Sequence, residues 1–140
     1  MDRDSQIRHL EAIQGVMNRM AQNSFSLKGW SVTLVSALFA LAAAKSNPGF
    51  VLLAYVPACI FWILDGYFLR QERLFRALYD NVRVKETIEP KDFFSMDTRP
   101  FIAVTDSWLR VTLSLTLRIF HGAILAAITL VMVLVRRGGM

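Results

Sequence analysis

Apolar residues along this chain first recur in steps of three and four, then gather into three nearly unbroken runs. From Ser5 to Asn23 (residues 5–23), Ile7, Leu10, Ile13, Met17 and Met20 mark one face of a helix. Arg8, Glu11, Gln14, Asn18 and Gln22 stand opposite, and Asp4 or Ser5 suits the N-cap because a short side-chain oxygen accepts a free backbone N–H there. The first run, 27–44, reads LKGWSVTLVSALFALAAA, with Trp30 at an interfacial position. The second, 50–69, reads FVLLAYVPACIFWILDGYFL, and about 20 such residues cross a ~30 Å hydrocarbon core. KSNPG between them predicts a tight turn, because Pro48 ends helical hydrogen bonding and Asn47 and Gly49 tolerate turn geometry. So short a link makes the two runs an antiparallel helical hairpin.

The second run continues as a charged helix over 70–85, with Leu74, Leu78 and Val82 on one side and Phe75 and Tyr79 flanking them. Glu72 and Arg76, four apart, support it by a few tenths of a kcal/mol. Its apolar side needs a partner, and the 5–23 helix is the simplest one. Residues 86–105 break the pattern: Pro90 and Pro100 push their preceding residues toward extended geometry. Phe93, Phe94, Met96, Phe101 and Ile102 predict that this loop packs on the helical stalk or lies at the lipid surface. Asp106 or Thr105 then caps a last helix, 106–137, whose end IFHGAILAAITLVMVLV is a third span or, as the rival reading, a helix that re-enters or lies along the cytoplasmic surface. The expected fold is therefore all-α, a single integral membrane unit covering residues 1–140.

Composition agrees with a membrane protein. A hydrophobic share of 54% exceeds the ~45–50% of soluble domains, and mean hydropathy is +0.40. The net charge of +5 invites a nucleic-acid reading, but residues 66–110 hold eight basic against seven acidic side chains. No dense basic cluster is interleaved with exposed aromatics, so nucleic acid is not an expected partner. Lys/Arg counts beside the spans put Arg19, Lys28, Arg70, Arg73, Arg76, Arg83 and Lys85 on one side and Lys45 on the other. The positive-inside rule then predicts a cytoplasmic N-terminus and a KSNPG turn on the outer side. Arg136 and Arg137 at the far end of a third span run against that bias. The N-terminus has no apolar core of a secretory signal, so no cleavage is expected.

Candidate chemistry centres on Asp65, the one acid within an apolar run, where a charge is costly unless paired or used. Counting back about 15 residues from Ala44 reaches Gly29, and counting forward about 15 from Phe50 reaches Asp65. Lys28 and Asp65 thus fall at one depth and are expected to pair. Arg118 and His121, near the start of the last span, are the other candidates for this interfacial ion pair or gate; an unpaired Asp65 reaching water is the alternative. Small residues predict helix-packing faces at Ser36, Ala40 and Ala44 and at Gly122 and Ala126. Ser31, Thr33 and Ser36 are candidate pore-lining groups, or else bond to their own helix carbonyls.

Catalytic motifs are missing. There is no Gly-rich phosphate loop, GxSxG or HExxH, and no enzyme is expected. Arg118 and His121 are too close for an Arg-x4–6-His nuclease motif. His and acidic residues are too scattered for a metal site, no cofactor is expected, and the lone Cys59 reads as an apolar packing residue. His9 reads as a surface histidine.

NSFSLKGWSVTLVSALFALAAA (23–44) and LDGYFLRQERLFRALYDNVRVKE (64–86) are similar to a group of small bacterial membrane proteins. The plan of N-terminal helix, two-span hairpin and cytoplasmic helix resembles the SLATT-type membrane effectors of anti-phage and nucleotide-signalling systems over residues 5–86. A third span and the lack of a recognisable nucleotide-sensing domain depart from that plan. The resemblance implies homo-oligomers that perforate or depolarise the inner membrane when triggered, with the lipid bilayer as their setting. An adaptor subunit that recruits a soluble cytoplasmic partner through residues 70–107 is the alternative. A transporter subunit ranks third, because the chain lacks inverted repeats and interrupted helices.

Overall fold

The computed structural model describes residues 3–85 and 92–138. They form α1 (Arg3–Lys45), α2 (Gly49–Leu53), α3 (Tyr55–Val84), a 3-10 turn (Arg99–Phe101), α4 (Trp108–Thr112) and α5 (Leu115–Arg137), with no strand among the described residues. Three helical stretches are long and apolar enough to cross a membrane: α1, α2 with α3, and α5. This is an all-helical membrane protein.

The 5–23 helix and the 27–44 span are one helix, not two. Nothing in Asn23-Ser24-Phe25-Ser26 breaks the backbone ladder, so α1 runs unbroken for 43 residues, about 65 Å. Asp4 accordingly sits in its first turn rather than at a cap. About half of α1 is enough to cross the apolar layer, and the rest projects beyond it as a stalk.

At the other end α1 closes in a Schellman turn. The Ser46 N–H reaches the Ala43 carbonyl and the Asn47 N–H the Ala42 carbonyl, at 3.5 and 3.2 Å. Ser46 takes the left-handed conformation (φ 49°) that the motif requires, while Asn47 Oδ1 accepts the Gly49 N–H at 2.8 Å. The return helix begins as α2 and is interrupted at Ala54. Pro57 has no N–H for the Leu53 carbonyl and its ring crowds that oxygen, so the ladder resets between α2 and α3.

Two cores follow. Within the spans, Val35, Val51, Ala54, Ala58 and Ile128 are buried together, and Tyr55 Oη and Thr129 Oγ1 share a hydrogen bond of 2.7 Å. In the stalk, Ile13 of α1 packs on Leu78 and Val82 of α3, with Leu10, Met17, Phe75, Tyr79 and Phe101 around them. Gln6 Nε2 donates to the Val82 and Lys85 carbonyls at 2.9 and 3.0 Å, so α1 satisfies the open end of α3. The segment after residue 91 leans on this stalk. His9, expected at the surface, is buried: its Nε2 donates to the Ser95 carbonyl at 3.0 Å, and Phe94 covers its ring. Arg99 donates to both oxygens of Asp97 and holds that carboxyl down to about 2, so this clasp is present above pH 4 and opens only as pH falls toward 2. Pro90 lies outside the described residues.

The last helix is likewise not the continuous 106–137 stretch expected. Ser107 rather than Asp106 or Thr105 caps α4, accepting from the Arg110 N–H, and the chain turns at Leu113–Ser114 before α5. Asp106 is engaged elsewhere: its carboxylate pairs with Arg73 at 2.9 Å and Arg110 at 3.1 Å. The turn lets α4 press against α3 at Gly66. A Cβ there would stand 2.1 Å from Thr112 Oγ1, and Trp62 Nε1 fixes the contact by donating to the Thr112 carbonyl at 2.9 Å.

Two stability changes are expected. Ser46→Gly relieves the left-handed strain and raises unfolding stability in detergent by about 1 kcal/mol. Gly66→Ala forces α4 off α3 and lowers it by about 1–3 kcal/mol. Thermal or denaturant unfolding followed by helical circular dichroism reads both.

Candidate functional site: a charged junction of three spans

The register of α1 puts Ser24, Lys28, Ser31 and Val35 on one stripe, at spacings of four, three and four, facing the other helices. On α3, Asp65 faces that stripe. On α5, Leu117, His121 and Ile128 form the buried stripe. These three faces meet at Asp65, which is fully buried. Lys28 Nζ lies 2.6 Å from Asp65 Oδ2, and His121 Nε2 donates to the same oxygen at 2.9 Å. Ser24 Oγ donates to Oδ1, and Lys28 Nζ bonds Ser24 Oγ at 2.9 Å. One carboxylate thus binds a partner from each of the two other spans.

Aromatic rings wall the junction. Trp62 lies nearly parallel to His121, with centroids 5.7 Å apart, and Phe120 meets it edge-on. Lys28 Nζ also stands 5.9 Å from the centroid of the Phe120 ring. Because Nε2 donates to a carboxylate, His121 Nδ1 is the ring's other nitrogen, and it is buried without a partner. Lys28 keeps 22% of its side chain exposed, whereas Asp65 and His121 are buried. Depth is consistent on all three helices: Lys28, Asp65 and His121 stand 16 or 17 residues, about 24–26 Å, from Lys45, Gly49 and Arg137. That is just inside the stalk-side boundary of a ~30 Å apolar layer.

The remaining predicted residues disperse. Arg118 is exposed and stands outside the network, because it lies about 100° around α5 from the buried Leu117. Ser31, Thr33 and Ser36 share no face: Ser31 is buried in the bundle, Thr33 bonds the Gly29 carbonyl at 2.9 Å, and Ser36 is exposed. A single chain therefore has no lumen lined by all three. Ser36, Ala40 and Ala44 do share a face, but it points out of the bundle. Gly122 is half-buried with no atom within 4 Å of where its Cβ would stand, and Ala126 is exposed, so this second small pair meets no helix of its own chain. Cys59 is exposed on a span rather than packed. Among the described residues no three His, Cys, Asp or Glu side chains converge as metal ligands.

Ser24 and Trp62 belong to the junction and were not singled out from the sequence. Their signal was positional: Ser24 lies one turn before Lys28, and Trp62 one turn before Asp65.

Fold and junction together define the class as a membrane protein of three spans clamped by a buried ion-paired triad. No protein family, curated protein or solved structure matches the chain.

Removing one partner leaves a buried charge unopposed, so Asp65→Ala and Lys28→Met each lower stability in detergent by about 3–5 kcal/mol. The triple variant Asp65→Leu, Lys28→Met, His121→Leu removes the charges together and recovers much of that loss. A triple variant no more stable than Asp65→Ala would contradict this account of the triad.

Proposed function

We propose that the chain is a subunit of a homo-oligomeric inner-membrane protein, with a cytoplasmic stalk, whose assembled spans perforate or depolarise the membrane. The observation that carries the reading is the row Ser36, Ala40 and Ala44, exposed on the outer face of α1. Between lipid-embedded helices, association depends on close backbone approach, and small residues at every fourth position allow it. Three spans closed on a buried triad leave no channel within one subunit, so conduction requires several. The resemblance to SLATT-type effectors extends the proposal to bacterial anti-phage defence. In this scheme the junction holds each subunit's spans together, while α3, continuous from the stalk into the membrane, transmits a stalk-side trigger.

A second reading, the adaptor, has its own support. A recess of about 240 Å³ lies between α1, α3 and the segment after residue 91, lined by His9, Asn81, Val82, Lys85 and Phe101 among others. A soluble partner that inserts a side chain there would be held by the stalk alone.

Ala40→Phe separates the two. The pore reading expects oligomers in native mass spectrometry and loss of membrane potential on expression, both abolished by Ala40→Phe without loss of helical content. A monomeric wild-type protein, or a membrane potential untouched by its expression, would remove the pore reading. Capture of a soluble protein by a photo-crosslinker at Asn81, unaffected by Ala40→Phe, is the outcome expected of an adaptor.

A further inference from the structure

One stripe of α3 changes chemistry along its length. Cys59, Ile63, Gly66, Arg70 and Arg73 follow at spacings of four, three, four and three, with Trp62 one turn before Gly66, so they share a face. The segment from Asp106 through α4 to Leu113 lies along this face, held at its middle by the Gly66–Thr112 contact and the Trp62 hydrogen bond. On the membrane side, Cys59, Trp62, Ile63, Thr112 and Leu113 enclose an open groove of about 240 Å³ with an entirely apolar lining. On the stalk side, three guanidinium groups gather at Asp106. Arg70 Nε donates to its carbonyl at 3.3 Å, while Arg73 and Arg110 pair with its carboxylate at 2.9 and 3.1 Å. Three positive charges thus face one negative charge, and Arg110 remains 78% exposed.

Depth matches both ends to a bilayer. Asp65 stands about 24 Å from the Gly49 end of the span, so Arg70 and Arg73, five and eight residues further on, stand at about 32 and 36 Å. A ~30 Å hydrocarbon core with headgroup layers of about 5–8 Å on each side puts both in the headgroup layer. The apolar groove falls within the core. Between the two, Leu109 and Leu113, four apart on the outer side, are exposed at 62% and 55%, as suits a segment facing acyl chains.

We infer that the α3–α4 seam is a binding site for one anionic phospholipid of the stalk-side leaflet. An acyl chain lies in the Cys59–Leu113 groove, and the headgroup phosphate meets Arg110 and Arg70. Guanidinium is suited to this task because its planar donors bind phosphate oxygens in pairs. The excess of arginine over carboxylate selects an anionic headgroup over a zwitterionic one. The inference rests on the chain being a membrane protein and is independent of whether subunits assemble into a pore.

The test uses the full chain purified in mild detergent and offered equal amounts of phosphatidylglycerol and phosphatidylcholine of matched chains, with retained lipid counted by native mass spectrometry. Preferential retention of phosphatidylglycerol is expected. R110Q, at an exposed position, lowers the preference about fivefold, while R136Q/R137Q at the opposite membrane face leaves it unchanged. C59W, which fills the groove, lowers retention of phosphatidylglycerol with the arginines intact. Excess inorganic phosphate does not displace the lipid. Equal retention of the two lipids by the wild-type chain overturns the inference, as does an undiminished preference in R110Q or full retention in C59W. Displacement by phosphate alone would make the seam an anion site and overturn it as well.

Discussion

A carboxylate that is fully buried near the edge of an apolar layer imposes the organisation of the rest of this molecule. Asp65 has no water to solvate it, and an unpaired ion there carries a penalty of several kcal/mol. The penalty is met by recruiting one cation from α1, one imidazole from α5 and one hydroxyl from α1. Each helix consequently loses its freedom to slide or rotate, because a shift of one residue moves its partner about 100° around the helix. Lipid provides no hydrophobic force to bring apolar helices together. Packing in the span core and this triad therefore share the task of defining which faces meet.

The same requirement explains the shape of the chain around the junction. For His121 to reach Asp65, α5 must start close beside α3, and the chain achieves this through the break at Leu113–Ser114 and the absence of a side chain at Gly66. Trp62 serves both purposes: its ring flanks His121 and its indole N–H holds the Thr112 carbonyl. The stalk is a consequence of continuity. Because α1 and α3 both pass through the junction without interruption, their registers are inherited outside the membrane, where Ile13 meets Leu78 and Val82. Lys28 and Asp65 thus each share one continuous helix with the residues of the stalk core.

Much of this was legible in the chain. Unbroken apolar runs announce spans because no other arrangement satisfies 20 consecutive backbone amides in hydrocarbon. The turn at KSNPG makes α1 and the return helix antiparallel, and equal counting from that turn brings Lys28 level with Asp65. Periodicity likewise identifies Ile13, Leu78 and Val82 as facing residues, since each apolar stripe needs cover in water.

What tertiary structure alone decided concerns choices among residues at equal depth. Arg118 and His121 enter the membrane together, and only the rotation of α5 set by Leu117 and Ile128 turns His121 inward and leaves Arg118 outside. His9 looks like a surface group on its own helix, but the segment carrying Phe94 and Ser95 returns to cover it. The turn strain fell on Ser46 rather than on Asn47 or Gly49 because the Schellman hydrogen bonds determine where the left-handed residue must stand. Asp65 itself combines both levels. Its isolation in an apolar run and its depth level with Lys28 pointed to that pair, while only the packing of three helices added His121 and Ser24 and left Arg118 out.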